Sequence, residues 1–320
     1  MSCDNNVSII ICTKDRAESL RETLASIGRC EVPADLPTEL LVVDNGSIDS
    51  TRQVVEQTEL KNIPMRYVPE PRKGKGYAYN TGMAEACGDI FLFTDDDVRV
   101  PKNWIEGMCR PIVEHAADAV AGAIRIADQL RRPWMKPIHF AWLACTTEPD
   151  SDQKSGSLFL IGANMAIRRT VLRRVPAFDP ELGPGAKGHA DDTLLSVQIR
   201  EAGYRILAMP QVDVEHHFDP ARLNREAYVR QANKRGEFNA YVAHHWFHAD
   251  WRLPHLKLIR EWLRLNGLRM CHLRDWWTHP SAPAWELVPM EGYFTFKHYL
   301  REHKRPRNYE KHGLVKLNHA

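Results

Sequence analysis

The chain has 320 residues, enough to bury a sizeable core as one large domain or two smaller ones. Its 43% hydrophobic and 26% charged residues are those of an ordinary globular protein and exclude the disordered and low-complexity classes. The net charge of +2 hides an asymmetry: residues 221–320 hold 18 Lys and Arg against 9 Asp and Glu, whereas residues 1–220 hold 25 against 32, so two regions with different tasks are expected.

In chain order, VSIIICT (7–13) is a short apolar, β-branched run that predicts a buried strand, and Leu20, Leu24 and Ile27 carry helical spacing over 15–27. ELLVVD (39–44) predicts a second strand, followed by a helix through Val54 and Val55. A third strand is expected at MRYVP (65–69), a helix at 77–86 and a fourth strand at DIFLFT (89–94). Continuous apolar strands separated by helices predict parallel strands covered on both faces, a doubly wound α/β sheet. Beyond Pro101 the pattern predicts a helix at 103–115, a strand at 119–126, a long loop at 127–154, a strand at 158–167 and a helix from Thr170. A helix at 192–202 and a strand within 204–217 follow. The basic, aromatic region from 221 predicts helices at 224–248, 254–275 and 291–303.

MSCDNNVS has no basic region ahead of an apolar run, and SGSLFLIGANMAI (155–167) falls short of the roughly 20 residues a spanning helix needs, so a cytoplasmic protein is expected. The seven cysteines are odd in number, scattered and without a CxxC pair, which predicts reduced thiols, with Cys12 and Cys87 as packing residues.

Ligands of doubly wound sheets bind outside the carboxyl ends of the strands, and polar chemistry concentrates there. The strand ends are followed by Thr13-Lys14-Asp15, by Asp44-Asn45-Gly46-Ser47, by Arg72-Lys73-Gly74-Lys75-Gly76 and by Asp95-Asp96-Asp97. Three adjacent carboxylates after a buried strand repel one another and call for a counter-charge. A solvated turn is one reading of that triplet; a divalent cation such as Mg²⁺ or Mn²⁺, held with substrate phosphates, is the other.

VSIIICTKDR, LLVVDNGSIDST, GKGYAYNTGMAEACGDIFLFTDDD, IGANMAIRR, AFDPELG and ADDTLLSVQIREAGYRILAMPQVDVEH stand in the order and spacing of family 2 glycosyltransferases, and residues 5–217 resemble them. The resemblance implies a GT-A fold: a doubly wound, mostly parallel central sheet with a helical C-terminal extension. It divides the chain into a catalytic domain, 1–220, with a nucleotide-binding half (1–100) and an acceptor-binding half (101–220), and a basic, aromatic extension, 221–320. It also implies an inverting, metal-dependent hexosyltransferase-like enzyme that takes its donor as a nucleotide-diphosphate sugar, expected to be a UDP-sugar. The acceptor would be a hydroxyl on a glycan or lipid-linked saccharide in cell-surface polysaccharide assembly.

By this resemblance Asp95-Asp96-Asp97 is the DXD motif, with Asp97 the direct ligand of Mn²⁺ or Mg²⁺ and Asp95 reaching the ribose or a metal-bound water. His216 matches the histidine that closes the metal or diphosphate site, with His217 its neighbouring alternative. Thr13, Asp15 and Asp44 match the nucleoside pocket, and Lys75 is placed to hold the diphosphate. Asn80 matches the helix-three asparagine, although Tyr79 stands where relatives often have arginine. Inversion needs a base on the acceptor side; the family's acidic pair, usually Glu-Asp, is Asp191-Asp192 here, with Asp192 assigned as base and Asp191 as a positioning residue. A helix-capping role for either is the structural alternative.

GKGYAY lacks the third small residue of a dinucleotide fingerprint and does not follow the first strand. His244, His245 and His248 lack the HExxH pattern and a cysteine partner, so no zinc site is expected, and no nucleic-acid motif accompanies the basic helices. LPHLKLIREWLRLNGLRM (253–270) reads as a basic amphipathic helix with a tryptophan, which would either pack on the catalytic domain or touch the inner face of the cell membrane. Two rival functions share this kind of sheet. A sugar nucleotidyltransferase would carry a glycine-rich, arginine-containing loop where TKDRAESL stands, and a non-catalytic glycan-binding scaffold would tend to lose Asp95, Asp97, Asp192 and His216.

Overall fold

The computed structural model describes residues 5–146, 159–188 and 190–317. Its strands are β1 (Val7–Thr13), β2 (Thr38–Asp44), β3 (Met65–Pro69), β4 (Ile90–Asp95), β5 (Val98–Arg99), β6 (Ala119–Ile126), β7 (Met165–Arg168) and β8 (Ile206–His216). They form one sheet in the order β3-β2-β1-β4-β7-β6-β8-β5. The first four strands are parallel, as the apolar runs predict; β7 inserts antiparallel between β4 and β6, and β8 returns parallel to β6.

Helices α1 (Ala17–Ile27), α2 (Thr51–Gln57), α3 (Lys75–Glu85) and α4 (Trp104–Val113) cover the sheet together with α6 (Asp191–Glu201), while α5 (Pro137–Trp142) lies in the following connection. Successive strand residues alternate between two cores. Ile9, Ile11, Leu40, Val42 and Leu92 pack with Leu20, Leu24, Val54, Trp104 and Met108 on one face. Ile10, Leu41, Val43, Phe91 and Phe93 pack with Ala78, Tyr79, Met83, Leu195 and Ile199 on the other. Each such fully buried side chain contributes roughly 1.5–3 kcal/mol, so the sheet is a rigid platform for the loops on its rim.

The extension contains α7 (Arg225–His245), α8 (Pro254–Cys271), α9 (Leu273–Thr278) and α10 (Ala284–Glu302). α7 and α10 approach closely at Gly236, where a Cβ would lie 2.6 Å from the Phe294 backbone. Residues after α10 fold back on the catalytic region: the buried Asp179 carboxylate accepts from Tyr241 Oη, from Tyr309 Oη at 2.8 Å and from Lys316 Nζ at 2.6 Å. Leu182 and Leu194 share an apolar cluster with Tyr241, Trp246 and Tyr309.

Several expectations change. The strand expected at 158–167 starts outside the described residues and is reduced to Met165–Arg168, because the preceding segment turns, with Asn164 N–H donating to Ile161 C=O at 2.8 Å. Asn164 is buried there by side-chain bonds to Trp104, Ala123 and Val212. The helix expected from Thr170 is a single 3-10 turn, Arg169–Arg173. The expected loop at 127–154 contains α5, and its residues 147–154 lie outside the described part. The final helix starts at Ala284, ahead of Pro289, because Glu286 is buried against Arg225 and Arg269 and Leu287 is packed beneath it. Cys87 is exposed, not a packing residue. Among the described residues no helix is long and apolar enough to cross a membrane.

Candidate active site

The rim of the sheet encloses a cavity of about 510 Å³. The register Cys12↔Asp95 between β1 and β4 puts Thr13 beside Asp96, and Thr13 Oγ1 donates to Asp96 Oδ2 at 2.7 Å. Asp15 adopts a left-handed φ of 51°, a conformation aspartate tolerates better than most residues. Its carboxylate accepts from Ile48 N–H at 2.8 Å and its own N–H donates to Ser47 Oγ at 2.9 Å, tying the first two rim loops together. The next residue, Arg16, reaches back to Asp96 at 3.1 Å and Asp97 at 2.7 Å.

β5 carries the chain away from the aspartate triplet and pairs with β8 in the register Val98↔His216. That pairing sets His216 Nε2 3.3 Å from Asp97 Oδ1. Asp97 and His216 are both buried, and among the described residues Asp97 Oδ1 and His216 Nδ1 have no hydrogen-bond partner. Burial pushes the Asp97 carboxyl up, but His216, Arg16 and Arg222 outweigh it and hold it well below the usual carboxylate range. Asp96 is pushed up to about 6 by burial, only partly opposed by Arg16. Lys75, the first residue of α3, forms an ion pair with Asp95; burial works against its ammonium, yet Asp95 raises its pKa above the usual lysine value.

An unpartnered buried carboxylate oxygen beside an imidazole fits a divalent cation in donor chemistry. Among the described residues no group of three or more His, Cys, Asp or Glu converges on a point, so an ion there would need oxygens from a bound phosphate or water.

Asp191 and Asp192, which also line the cavity, occupy the first turn of α6. Asp192 Oδ2 accepts from Gly162 N–H at 2.9 Å. A Cβ at Gly162 would lie 2.3 Å from Tyr79 Oη, so any side chain there would force the loop or Tyr79 to shift. Asp191 is buried against Gly183, whose φ of +94° and closeness to that carboxylate exclude a side chain, and Asp191 Oδ2 has no partner among the described residues. Burial raises both carboxyls, Asp192 to about 6; for Asp191 the adjacent Asp192 charge adds to the effect. An acid poised near neutrality on a cavity wall can take a proton from a hydroxyl.

Thr13, Asp15, Lys75, Asp95, Asp96, Asp97, Asp191, Asp192 and His216 all line this cavity. Asp44 and Asn80 do not. Asp44 accepts from Ser47 N–H at 2.8 Å and Tyr67 Oη at 2.7 Å, while its neighbour Asn45 faces the cavity and clasps the 70–74 loop. Asn80 exchanges two hydrogen bonds, at 2.9 and 2.8 Å, with the Phe178 backbone. The sequence reading missed Arg16, Gly162, Trp142, Arg222 and Gln231. Arg16 stood in the quoted CTKDR stretch, and the charge of the aspartate triplet was the signal for it. Arg222 and Gln231 lie beyond the composition break at 221, and no local pattern points to either.

Residues 8–175 match the model of the family described as Glycosyl transferase family 2. A probable glycosyltransferase of Bacillus subtilis, YdaM, is 27% identical over 215 residues, 64% of this chain and 49% of that protein. The chain spans about half or less of the length of the first curated relatives it matches. Among solved structures, the mannosyltransferase PcManGT from Pyrobaculum calidifontis, in complex with GDP-Man and Mn²⁺, matches with a TM-score of 0.56 at 22% identity, covering 93% of this chain and 85% of that one. S. aureus TarS 1–349 in complex with UDP-GlcNAc matches with a TM-score of 0.53 at 18% identity, covering 79% and 70%. The fold is therefore the GT-A fold.

Proposed function

Since the chain belongs to glycosyl transferase family 2, we propose that it is an inverting, divalent-cation-dependent enzyme that moves a sugar from a nucleotide-diphosphate donor, a UDP-sugar, to a hydroxyl of a glycan or lipid-linked saccharide in cell-surface polysaccharide assembly. The observation that carries this reading is the meeting of Asp95–Asp97, Lys75 and His216 with Asp191 and Asp192 in the lining of a single cavity.

In this mechanism Thr13 and Asp15 line the nucleoside end, Asp44 braces the adjoining rim loop from outside the cavity through Ser47 and Tyr67, Asp95 and Asp96 face the nucleotide, and Lys75 neutralises a diphosphate oxygen. Asp97 and His216 would hold Mn²⁺ or Mg²⁺, which as a Lewis acid stabilises charge developing on the leaving diphosphate. The acceptor oxygen attacks the anomeric carbon and its proton passes to Asp192. The bond from that carbon to the diphosphate oxygen breaks, with its electron pair leaving on the diphosphate. The Gly162 amide fixes the orientation of Asp192, and the burial that raises its pKa keeps it basic enough to accept the proton. Such a base contributes roughly 10²–10⁴-fold.

The test is nucleoside-diphosphate release across a panel of UDP- and GDP-sugars with Mn²⁺ or Mg²⁺. UDP release that falls at least a hundredfold in Asp192→Asn, with an acceptor present, supports the proposal. Pyrophosphate release from a nucleoside triphosphate and a sugar 1-phosphate, in a parallel arm, would instead assign a nucleotidyltransferase, and no product and no nucleotide binding would assign a scaffold.

A further inference from the structure

α8 is built against the usual sense of an amphipathic helix. Its inward face buries Glu261 and Leu265, with Glu261 close to Gly292 of α10. Its outward face carries Leu256, Ile259, Leu263 and Met270, each more than half exposed, at helical spacings of three, four and seven. Trp262 stands at the edge of this stripe at 50% exposure, and the adjoining α9 also exposes Leu273 at 58% and Trp277 at 79%. Scattered apolar residues are normal on a surface, but an aligned stripe of this kind marks an interaction face.

Charge selects the occupant. Residues 252–278 carry six Lys and Arg and two acids: Glu261, which is buried, and Asp275, which accepts from Trp285 Nε1 at 2.7 Å. Arg260 and Arg264 touch Glu261 yet keep 71% and 56% of their side chains in solvent beside the stripe. Arg252 and Arg274 are exposed at its two ends. A second copy of the chain would set this cationic rim against its like, whereas an anionic bilayer would accept the leucines and tryptophans at its acyl boundary and the arginines at its headgroups.

The same unit is joined to the cavity. Trp276 of α9 lies under Arg225, Ser281 Oγ donates to Leu223 C=O at 2.5 Å, and His139 Nε2 is 2.9 Å from Ala282 C=O. These contacts grip the segments that carry Arg222 and Trp142 into the cavity. We propose that the outward face of α8 and α9 is a docking surface for an anionic lipid bilayer, which holds the cavity at the membrane surface. The surface stands independently of the transferase reading; its use in bringing a lipid-linked acceptor to the cavity rests on that reading.

The experiment is flotation of the full chain with vesicles of phosphatidylcholine alone and with 30% phosphatidylglycerol (about one anionic lipid in three, enough for a negative surface potential). Wild type is expected to float with the anionic vesicles only and to be released by salt. Leu263→Asp with Trp277→Asp should reduce the bound fraction at least tenfold, and Arg252→Glu with Arg274→Glu should weaken binding and its salt dependence. Val315→Asp, an exposed apolar residue elsewhere, should bind as wild type does. Circular dichroism of each variant separates lost binding from lost folding. No flotation with anionic vesicles, or flotation indifferent to the α8 and α9 changes, would overturn the proposal. So would a dimer in sedimentation velocity that Leu263→Asp dissociates, since it would give the face to a second copy. No donor is present in this assay, so its failure leaves the transferase proposal untouched.

Discussion

Substituting Gly162 with alanine probes how the acceptor wall is held. The new Cβ would lie 2.3 Å from Tyr79 Oη, about an ångström short of an ordinary contact, with Tyr79 Cζ at 3.4 Å and Lys75 Nζ at 3.6 Å next nearest. Tyr79 cannot swing aside: it is 1% exposed, stacked on Phe178 at 4.6 Å and edge-on to Phe93 at 5.3 Å. The loop at 162 must therefore move, drawing its N–H away from the 2.9 Å bond to Asp192. Overpacking of this kind costs about 1–3 kcal/mol, and the lost amide bond to a charged group about 1.5–3 kcal/mol, part of which overlaps with the first because one displacement causes both. We expect Gly162→Ala to unfold about 2–3 kcal/mol more easily in urea and to lose kcat more than donor affinity. Tyr79 Oη is buried without a partner among the described residues, so Tyr79→Phe alone should be neutral or slightly stabilising. The double variant should recover most of the loss, a coupling of at least about 1 kcal/mol in a double-mutant cycle. Additive effects, with the double variant as unstable as Gly162→Ala, would refute the clash and with it this account of how Asp192 is oriented.

Other consequences follow from the charges. Because burial raises Asp192 to about 6, kcat should climb about tenfold per pH unit below that value and level off above it, and Asp192→Asn should abolish this limb. The same raised pKa contributes stability that is fully present below the ordinary carboxylate range and is lost as pH rises through about 6, so thermal unfolding of Asp192→Asn should depend less on pH there. Lys316→Met removes a donor to Asp179 at 2.6 Å and to Glu181 at 2.8 Å; with Tyr241 and Tyr309 still serving Asp179, the loss should be about 1–3 kcal/mol in denaturant unfolding. Glu181, pushed up by burial but held down to about 2 by Lys316, Arg305 and Lys187, contributes stability present above the ordinary glutamate pKa and lost as pH falls from there toward 2. Lys316→Met should therefore flatten the acid limb of the unfolding curve. Arg16→Met leaves Asp97 with one fewer counter-charge, so thermal shift by Mn²⁺ should be larger than in wild type.

The strands were legible because both faces of the sheet are buried and the apolar runs are unbroken over Ile9–Ile11, Leu40–Val43 and Ile90–Phe93. Most candidate site residues were legible because the aspartate triplet and the Asp191-Asp192 pair are electrostatically unfavourable unless something binds them. What could not be read depends on contacts far apart in sequence. Asn164 stops a strand by filling a polar niche made by Trp104, Ala123 and Val212. Arg222 and Gln231 enter the cavity from a region whose composition signals only a basic helical extension. Asn80 looks like a binding residue in its motif, yet both ends of its amide are committed to Phe178. The outward stripe of α8 has the same periodicity as an inward one, and only packing around Glu261 and Leu265 distinguishes them.

The most direct test of the donor-site proposal is calorimetric titration of UDP and GDP with Mn²⁺ present, repeated with chelator and with Asp97→Ala. The account predicts that UDP binds in the presence of Mn²⁺ and that either chelator or Asp97→Ala weakens it at least tenfold. UDP binding of equal strength in all three conditions would contradict the role given to Asp97 and His216.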